Sequence, residues 1–219
     1  MVSLATRPKQ RNCKIQILLD YLLTHPKATI RYYASDMILH VDSDAAYLVL
    51  PGAKSRVAGY YHLSNAPLQS TAPKPFLNGA IHVECKALRH VVSSAAEAET
   101  AALFYNAKLI IELKRSLEAL GHVQPATPLK TDNSTALGYV KNFVNQKRSK
   151  SWDMRFHWLK EKQNKDLLVY WEPGKNNYAD YFTKHHAPVH HKRKRTKYIL
   201  KGCHSFTNRM PSDNIIYRD

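Results

Sequence analysis

Apolar and polar positions change period several times along the chain, and each change marks an element. In KIQILLDYLLTHP (14–26), Ile15, Leu18, Leu19, Leu22 and Leu23 recur at helical spacing until His25-Pro26 closes the pattern, which predicts a short amphipathic helix. MILHVDSDAAYLV (37–49) reads as a strand ending at the Pro51-Gly52 break, and SRVAGYYHLS (55–64) reads as a second. A third, NGAIHVECKAL (78–88), follows a Pro-rich connection too long for a tight hairpin. From Ser93 to Leu120 the residues turn helical: Ser93 or Ser94 can cap, Glu97 and Glu99 lie in the first turns, and Gly121 is the stop. TPLKTD is a fourth strand ending at Asp132, NSTALGYVKNFV and SWDMRFHWLKEKQNK are two further helices, and DLLVYWEP is a fifth strand. NNYADYFTKHH is a final short helix capped by Asn176 or Asn177. After the first helix the order is β-β-β-α-β-α-α-β-α. Three strands joined by hairpin-like connections, then two reached by helical crossovers, predict an α/β fold with a five-stranded mixed sheet flanked by helices.

Composition adds a polyanion partner. The chain has 219 residues, 33 Lys+Arg against 17 Asp+Glu, and a formal charge of +16. Such a field draws nucleic acid or an acidic surface. Counted by segment, residues 1–40 and 185–219 together carry +10 and residues 41–184 carry +6. Three domains follow: a linker segment with the amphipathic helix (1–36), the α/β domain (37–186), and a basic tail (187–219) that reads as disordered. The stretch at 185–197, HHAPVHHKRKRTK, suits phosphates or a nuclear-localisation pattern at Lys192–Lys197. Its four histidines lack the thiolate or second spaced pair of a zinc site. Cys13, Cys85 and Cys203 form no CxxC pair, and no apolar run approaches the roughly 18 residues that span a bilayer. The expectation is an intracellular protein, cytoplasmic or nuclear, without a membrane partner.

Against so basic a background, the acids at the ends of apolar strands carry the chemistry. Asp42 and Asp44 lie in the first strand, Glu97 and Glu99 begin the long helix, Asp132 ends the fourth strand and Asp180 sits in the last helix. Each alone reads as a cap or a complement to a helix dipole. Together they can converge at one rim of the sheet, where carboxylates repel unless protons or hard cations lie between them.

The motifs VDSDAAY (41–47), SSAAEAETAAL (93–103), KTDNSTAL (130–137), RSKSWDMRFHWLKE (148–161) and NNYADYFTK (176–184) resemble, in order, those of the ribonuclease H domain of copia-type long-terminal-repeat retrotransposon polyproteins. The resemblance covers about residues 14–186, and within it KIQILLDYLLTHPKATIRYYASD (14–36) looks like the segment that links a reverse transcriptase to ribonuclease H. It implies a ribonuclease H-like fold and four carboxylates, Asp44, Glu99, Asp132 and Asp180, that bind two Mg²⁺ ions, which Mn²⁺ can replace. Asp42, on the same face of its strand, is the alternative to Asp44, and Glu97 is a supporting or exposed residue. The chain departs from the family at Ala45, Ala46 and Tyr47, where an acidic residue and a Trp are usual, and at Trp152, where a His is usual.

The implied activity is hydrolysis of the RNA strand of RNA–DNA hybrids, leaving 5′-phosphate and 3′-hydroxyl ends, with the reverse transcriptase portion of such an element as a partner. The alternative is a retrotransposon-derived fragment that binds nucleic acid without cutting it. Ser43, Asn133, Ser134 and Thr135 stand beside the carboxylates in sequence and can bond phosphates or sugars. Lys147, Arg148, Lys150 and Arg155 interleave with Trp152, Phe156 and Trp158, a combination suited to phosphate neutralisation and stacking. An integrase-like site, two aspartates and a later glutamate, does not fit this order of acids.

Overall fold

The computed structural model describes residues 6–66, 75–141 and 150–201. Among the described residues, 6–31 with 195–201 form one compact unit and those within 32–194 another. The first holds helix α1 (Thr6–Thr24) and an antiparallel pair of two-residue strands, β1 (Ala28–Thr29) and β7 (Leu200–Lys201). Helix α1 starts before the apolar pattern that predicts it.

The second unit is built on β2 (Ile38–Leu50) and β3 (Lys54–Ser64), an antiparallel hairpin that places Asp42 opposite Tyr60 and Asp44 opposite Ala58. Its turn passes through Gly52 at φ +74°, a conformation that glycine adopts without a Cβ clash. β4 (Ala80–Ala87) extends the sheet antiparallel to β3. On the other side of β2, β5 (Thr127–Thr131) and β6 (Leu167–Trp171) pair in parallel. Parallel neighbours need crossovers, supplied by α2 (Ala95–Ala119) and then by α3 (Ser134–Val140) with α4 (Lys150–Lys162). The resulting order, β4-β3-β2-β5-β6, is the expected five-stranded mixed sheet.

Because side chains alternate along a strand, β2 sends its residues to two different environments. Leu39 and Val41 join Tyr61, Leu103, Ala107, Ile110, Leu129, Leu159, Leu167 and Val169 in the main core, on the side of α2. Asn106 of α2 ties the helix to the sheet: its amide donates to Ser43 Oγ and the Ala58 carbonyl, and its oxygen accepts from Tyr61. A Cβ on Gly59 would lie 2.3 Å from that oxygen, so the close approach requires glycine. His40, Asp42 and Asp44 alternate with these residues and line the opposite face.

Two expected features differ. The stretch 176–186, expected as one helix, holds only a short helix α5 (Asp180–Thr183), with no side-chain cap at Ala179, and a 3₁₀ turn (Gly174–Asn176) comes before it. Asn177 turns inward instead, donating to the Ser43 carbonyl and accepting from the Ala179 amide. The tail expected to be disordered contains α6 (Pro188–Arg195), with Pro188 at the first helical position, where its missing N–H leaves no bond unmade, as well as β7. Residues 202–219 of that tail lie outside the described residues. Among those described, no helix is long and apolar enough to cross a membrane.

Candidate metal centre

Three elements deliver one carboxylate each. β2 carries Asp44, Asp132 directly follows β5, and α2 carries Glu99. The register explains the first two. Asp42 pairs with Lys130 across the parallel β2–β5 junction, so each aspartate stands two residues beyond that pair. Glu99 is set by the start of α2, where Ser94 Oγ accepts from the Glu97 amide while the Glu97 carboxylate accepts from the Ser93 amide and hydroxyl. Asp44, Glu99 and Asp132 each offer an oxygen, and these oxygens lie within 4.8 Å of one another.

Each carboxylate is held in place. Thr183 Oγ1 donates to Asp44 Oδ2 at 2.5 Å. Glu99 Oε1 accepts from the Ala45 amide at 3.2 Å, and its buried Oε2 has no partner. The Asp132 carbonyl accepts from the Trp171 indole N–H at 2.9 Å, and Gly174 lies so near that a Cβ there would sit 2.6 Å from Asp132 Oδ2. Burial, opposed by Thr183 and reinforced by Asp132 and Asp180, lifts the Asp44 carboxyl to about 6. Burial and then the charges of Asp44 and Asp132 push Glu99 well above the usual carboxylate range, and burial with Asp180 raises Asp132. Crowded acids with an unpartnered buried oxygen, whose nearby cation Lys184 is ion-paired with Asp180, suit a hard divalent ion, which takes oxygen ligands.

Asp180 stands near this group without joining it, and its carboxylate forms an ion pair with Lys184 one turn further on. Asp42 is also apart. Its carboxylate is 2.9 Å from Lys130 Nζ and accepts from the Tyr178 amide at 2.8 Å. Ser43 corrects an expectation: it is fully buried on the α2 side of the strand, where Asn106 and Asn177 occupy its hydroxyl and carbonyl. Strand alternation turns it away from the acids on either side of it. Asn133 caps α3 by accepting from the Ala136 amide, and Ser134 is exposed beside it. Arg155 lies against His90 at 3.0 Å and over the rings of Phe104 and Tyr105. Lys147 and Arg148 lie outside the described residues, and Lys150 is described only as the first residue of α4.

The sequence reading passed over Thr183, Lys184, Trp171, Gly174 and Lys130. Thr183 and Lys184 stand in the quoted stretch NNYADYFTK, three and four residues after Asp180, so helical spacing was the available signal. After α5, His186 stacks on His190 and its Nε2 bonds the Tyr181 carbonyl. Among the described residues the histidines form no metal-binding group.

A sheet whose central strand has two antiparallel neighbours on one side and two parallel ones on the other, with acids gathered at the rim of the junction, is a ribonuclease H-like fold. Over 110 residues the chain is 34% identical to the retrovirus-related Pol polyprotein from transposon TNT 1-94 of Nicotiana tabacum. The match takes in 50% of this chain and 8% of that polyprotein, so the resemblance to a retrotransposon polyprotein read from the motifs holds for a small part of such a protein. No family model matches. Among solved structures, the chain is similar to the N-terminal RNase H domain of Rv2228c from Mycobacterium tuberculosis, with 11% identity, 67% of this chain and 91% of that one covered, and a TM-score of 0.45. It is also similar to LC11-RNase H1 in complex with an RNA/DNA hybrid, with 14% identity, 66% and 92% covered, and a TM-score of 0.46.

Proposed function

We propose that this chain is a divalent-metal-dependent ribonuclease H acting on the RNA strand of RNA–DNA hybrids. The observation that carries the reading is the convergence of Asp44, Glu99 and Asp132 from three separate elements to within 4.8 Å, with one buried oxygen of Glu99 unpartnered. Asp44, Glu99 and Asp132 would hold Mg²⁺ or Mn²⁺, with Asp180 joining them on release from Lys184. Bound there, two such ions would supply an acidified water and a counter-charge for the departing 3′ oxygen.

The chain's own residues orient and charge the site. Thr183 fixes the rotation of the Asp44 carboxylate, the Ala45 amide fixes that of Glu99, and Trp171 with Gly174 fixes Asp132. Lys184, drawn down by burial but raised further by Asp180, Asp44 and Asp132, keeps its charge beside the acids and can meet a phosphate. Lys147, Arg148, Lys150 and Arg155 supply phosphate contacts that weaken with salt and carry little sequence preference. Asn133 and Ser134 can reach the sugar edge, where contacts to the 2′-hydroxyl distinguish RNA from DNA.

A second reading, binding without cleavage, has one observation in its favour, the ion pair that occupies Asp180. A labelled hybrid incubated with Mg²⁺ or Mn²⁺ separates the two. Cleavage to 5′-phosphate products, reduced at least about 100-fold by Asp132→Asn, is the expected result, on the scale of losing one preorganised electrostatic contact. Binding of the hybrid with no cleavage in either metal would leave the second reading standing.

A further inference from the structure

Next to the candidate metal centre, on the same face of the sheet, lies an ion pair that the proposed chemistry does not use. The side chains of Lys130 and Asp42 are 4% and 1% exposed, and their charged atoms are 2.9 Å apart. They face each other across the parallel β2–β5 junction, one register step inside Asp44 and Asp132. Both also reach beyond the sheet. Lys130 Nζ donates to the Asn176 carbonyl at 2.8 Å, lies 3.6 Å from the Glu172 carboxylate and sits over the Tyr178 ring. Asp42 Oδ2 accepts from the Tyr178 amide. The pair thus grips two backbone groups of the segment between β6 and α5. That segment delivers Gly174 against Asp132, and α5 behind it carries Asp180 and the Thr183 hydroxyl that holds Asp44.

We infer that Asp42 and Lys130 are positioning residues, a buried latch that holds residues 172–183 against the sheet and so sets the carboxylates of the metal centre in register. A buried ion pair is poorly explained by stability alone, since apolar residues of similar volume often do as well or better. Here both partners spend hydrogen bonds on one loop, and that loop controls two of the three clustered acids as well as Asp180. The inference rests on the proposed metal-dependent function only for the purpose it gives the latch. The holding of the loop is a separate matter and is measured separately.

The test compares the full chain with Lys130→Met, Lys130→Arg and the double variant Asp42→Leu/Lys130→Met. The single Met variant leaves a carboxylate buried without its cation and can fail to fold, whereas the double variant removes both charges and is expected to fold. Hydrogen exchange of segment 172–183 is read against α2 and β3, and Mn²⁺ binding is titrated. We expect the double variant to exchange at least about tenfold faster in 172–183 with α2 and β3 unchanged, to bind Mn²⁺ about tenfold or more weakly, and Lys130→Arg to recover most of both. Unchanged protection of 172–183 in the folded double variant would overturn the inference, showing that contacts such as the Asn177 hydrogen bond to the Ser43 carbonyl hold the loop unaided. Failure of the wild type to bind Mn²⁺ would instead count against the proposed function, while the exchange data still decide the latch.

Discussion

Asp42 and Asp44 are the same residue, two positions apart on one face of one strand, both nearly inaccessible to water, and they have opposite circumstances. Asp42 has Lys130 at 2.9 Å and the Tyr178 amide. Asp44 has the Thr183 hydroxyl, and beyond it two more acids within 4.8 Å. The inner position is neutralised from within the fold, whereas the rim position accumulates negative charge that the fold answers only in part, through Lys184, itself paired with Asp180. Burial raises the cost of a charge at both places, so the excess of acids over cations at the rim is the feature that calls for chemistry.

The largest expected effect tests that contrast directly. Asp42→Asn leaves Lys130 charged and underpaired and should cost about 3–5 kcal/mol of stability. Asp44→Asn removes one of several repelling acids and should gain about 1 kcal/mol or more in metal-free protein at pH 7, given a folded pKa of about 6. Urea unfolding of the two variants in EDTA decides the matter. Equal losses would abolish the distinction between the inner and rim positions.

A pH series sharpens it, because a further buried pair lies deeper along β2. His40 and His62 face each other across β2 and β3, and neither ring nitrogen of His62 has a partner. Burial holds His40 down at about 4 and His62 well below its usual value. A base with a lowered folded pKa contributes stability above its unfolded value near 6.5 that is lost as pH falls toward 4. Asp44 works the other way: its raised pKa means stability is lost as pH rises from about 4 to 6. The two slopes oppose each other in that window. Asp44→Asn should therefore steepen the acid-side loss of stability by about 1.4 kcal/mol per pH unit between pH 4 and 6. Parallel stability–pH curves for the variant and wild type in EDTA would contradict this account.

Much of this architecture was legible in the order of residues. The alternation in β2 and β3, the Pro-Gly break, the small-residue helix after Glu97 and Glu99, and the acids at strand ends led to the five-stranded sheet and its cluster. Asp42 and Asp44 could not be separated in this way, since they share a residue type, a strand and a face. The difference lies in Lys130, 88 positions away, which reaches Asp42 only once the parallel register is formed. Ser43 was misread for a related reason. Adjacency in sequence suggested adjacency to the acids, but strand alternation turns it to Asn106. The 3₁₀ turn before α5 closes on local bonds, from the Asn176 and Asn177 amides to the Pro173 and Gly174 carbonyls, but its remaining polar groups are satisfied by Lys130 and Ser43, outside any local window.

A smaller perturbation probes the rim through its backbone. Gly174→Ala would place a Cβ 2.6 Å from Asp132 Oδ2, and the carboxylate must rotate away from it. An about tenfold loss of Mn²⁺ affinity is expected, typical of disturbing a group that orients a ligand. Stability should change little, because the displaced atom is the end of a side chain that is only half-buried. Calorimetric titration that returned wild-type affinity would remove Gly174 from the site and show that the Asp132 carboxylate tolerates more than one rotation.

The smallest effect returns to the same contrast at a second place. Glu97 and Glu99 stand two residues apart at the start of α2, and again one acid is answered and the other is not. The Glu97 carboxylate is taken by the Ser93 amide and hydroxyl, both at 2.6 Å, in an exposed cap. Glu99 is buried, with Oε2 unpartnered. Glu97→Ala should cost about 0.5–1 kcal/mol of stability through the lost cap and leave Mn²⁺ affinity within about twofold of wild type. Glu99→Gln should abolish most Mn²⁺ binding without that stability cost. If Glu97→Ala weakened Mn²⁺ binding as much as Glu99→Gln, an acid answered locally would not be excluded from the site, and the distinction between Asp42 and Asp44 would lose its generality.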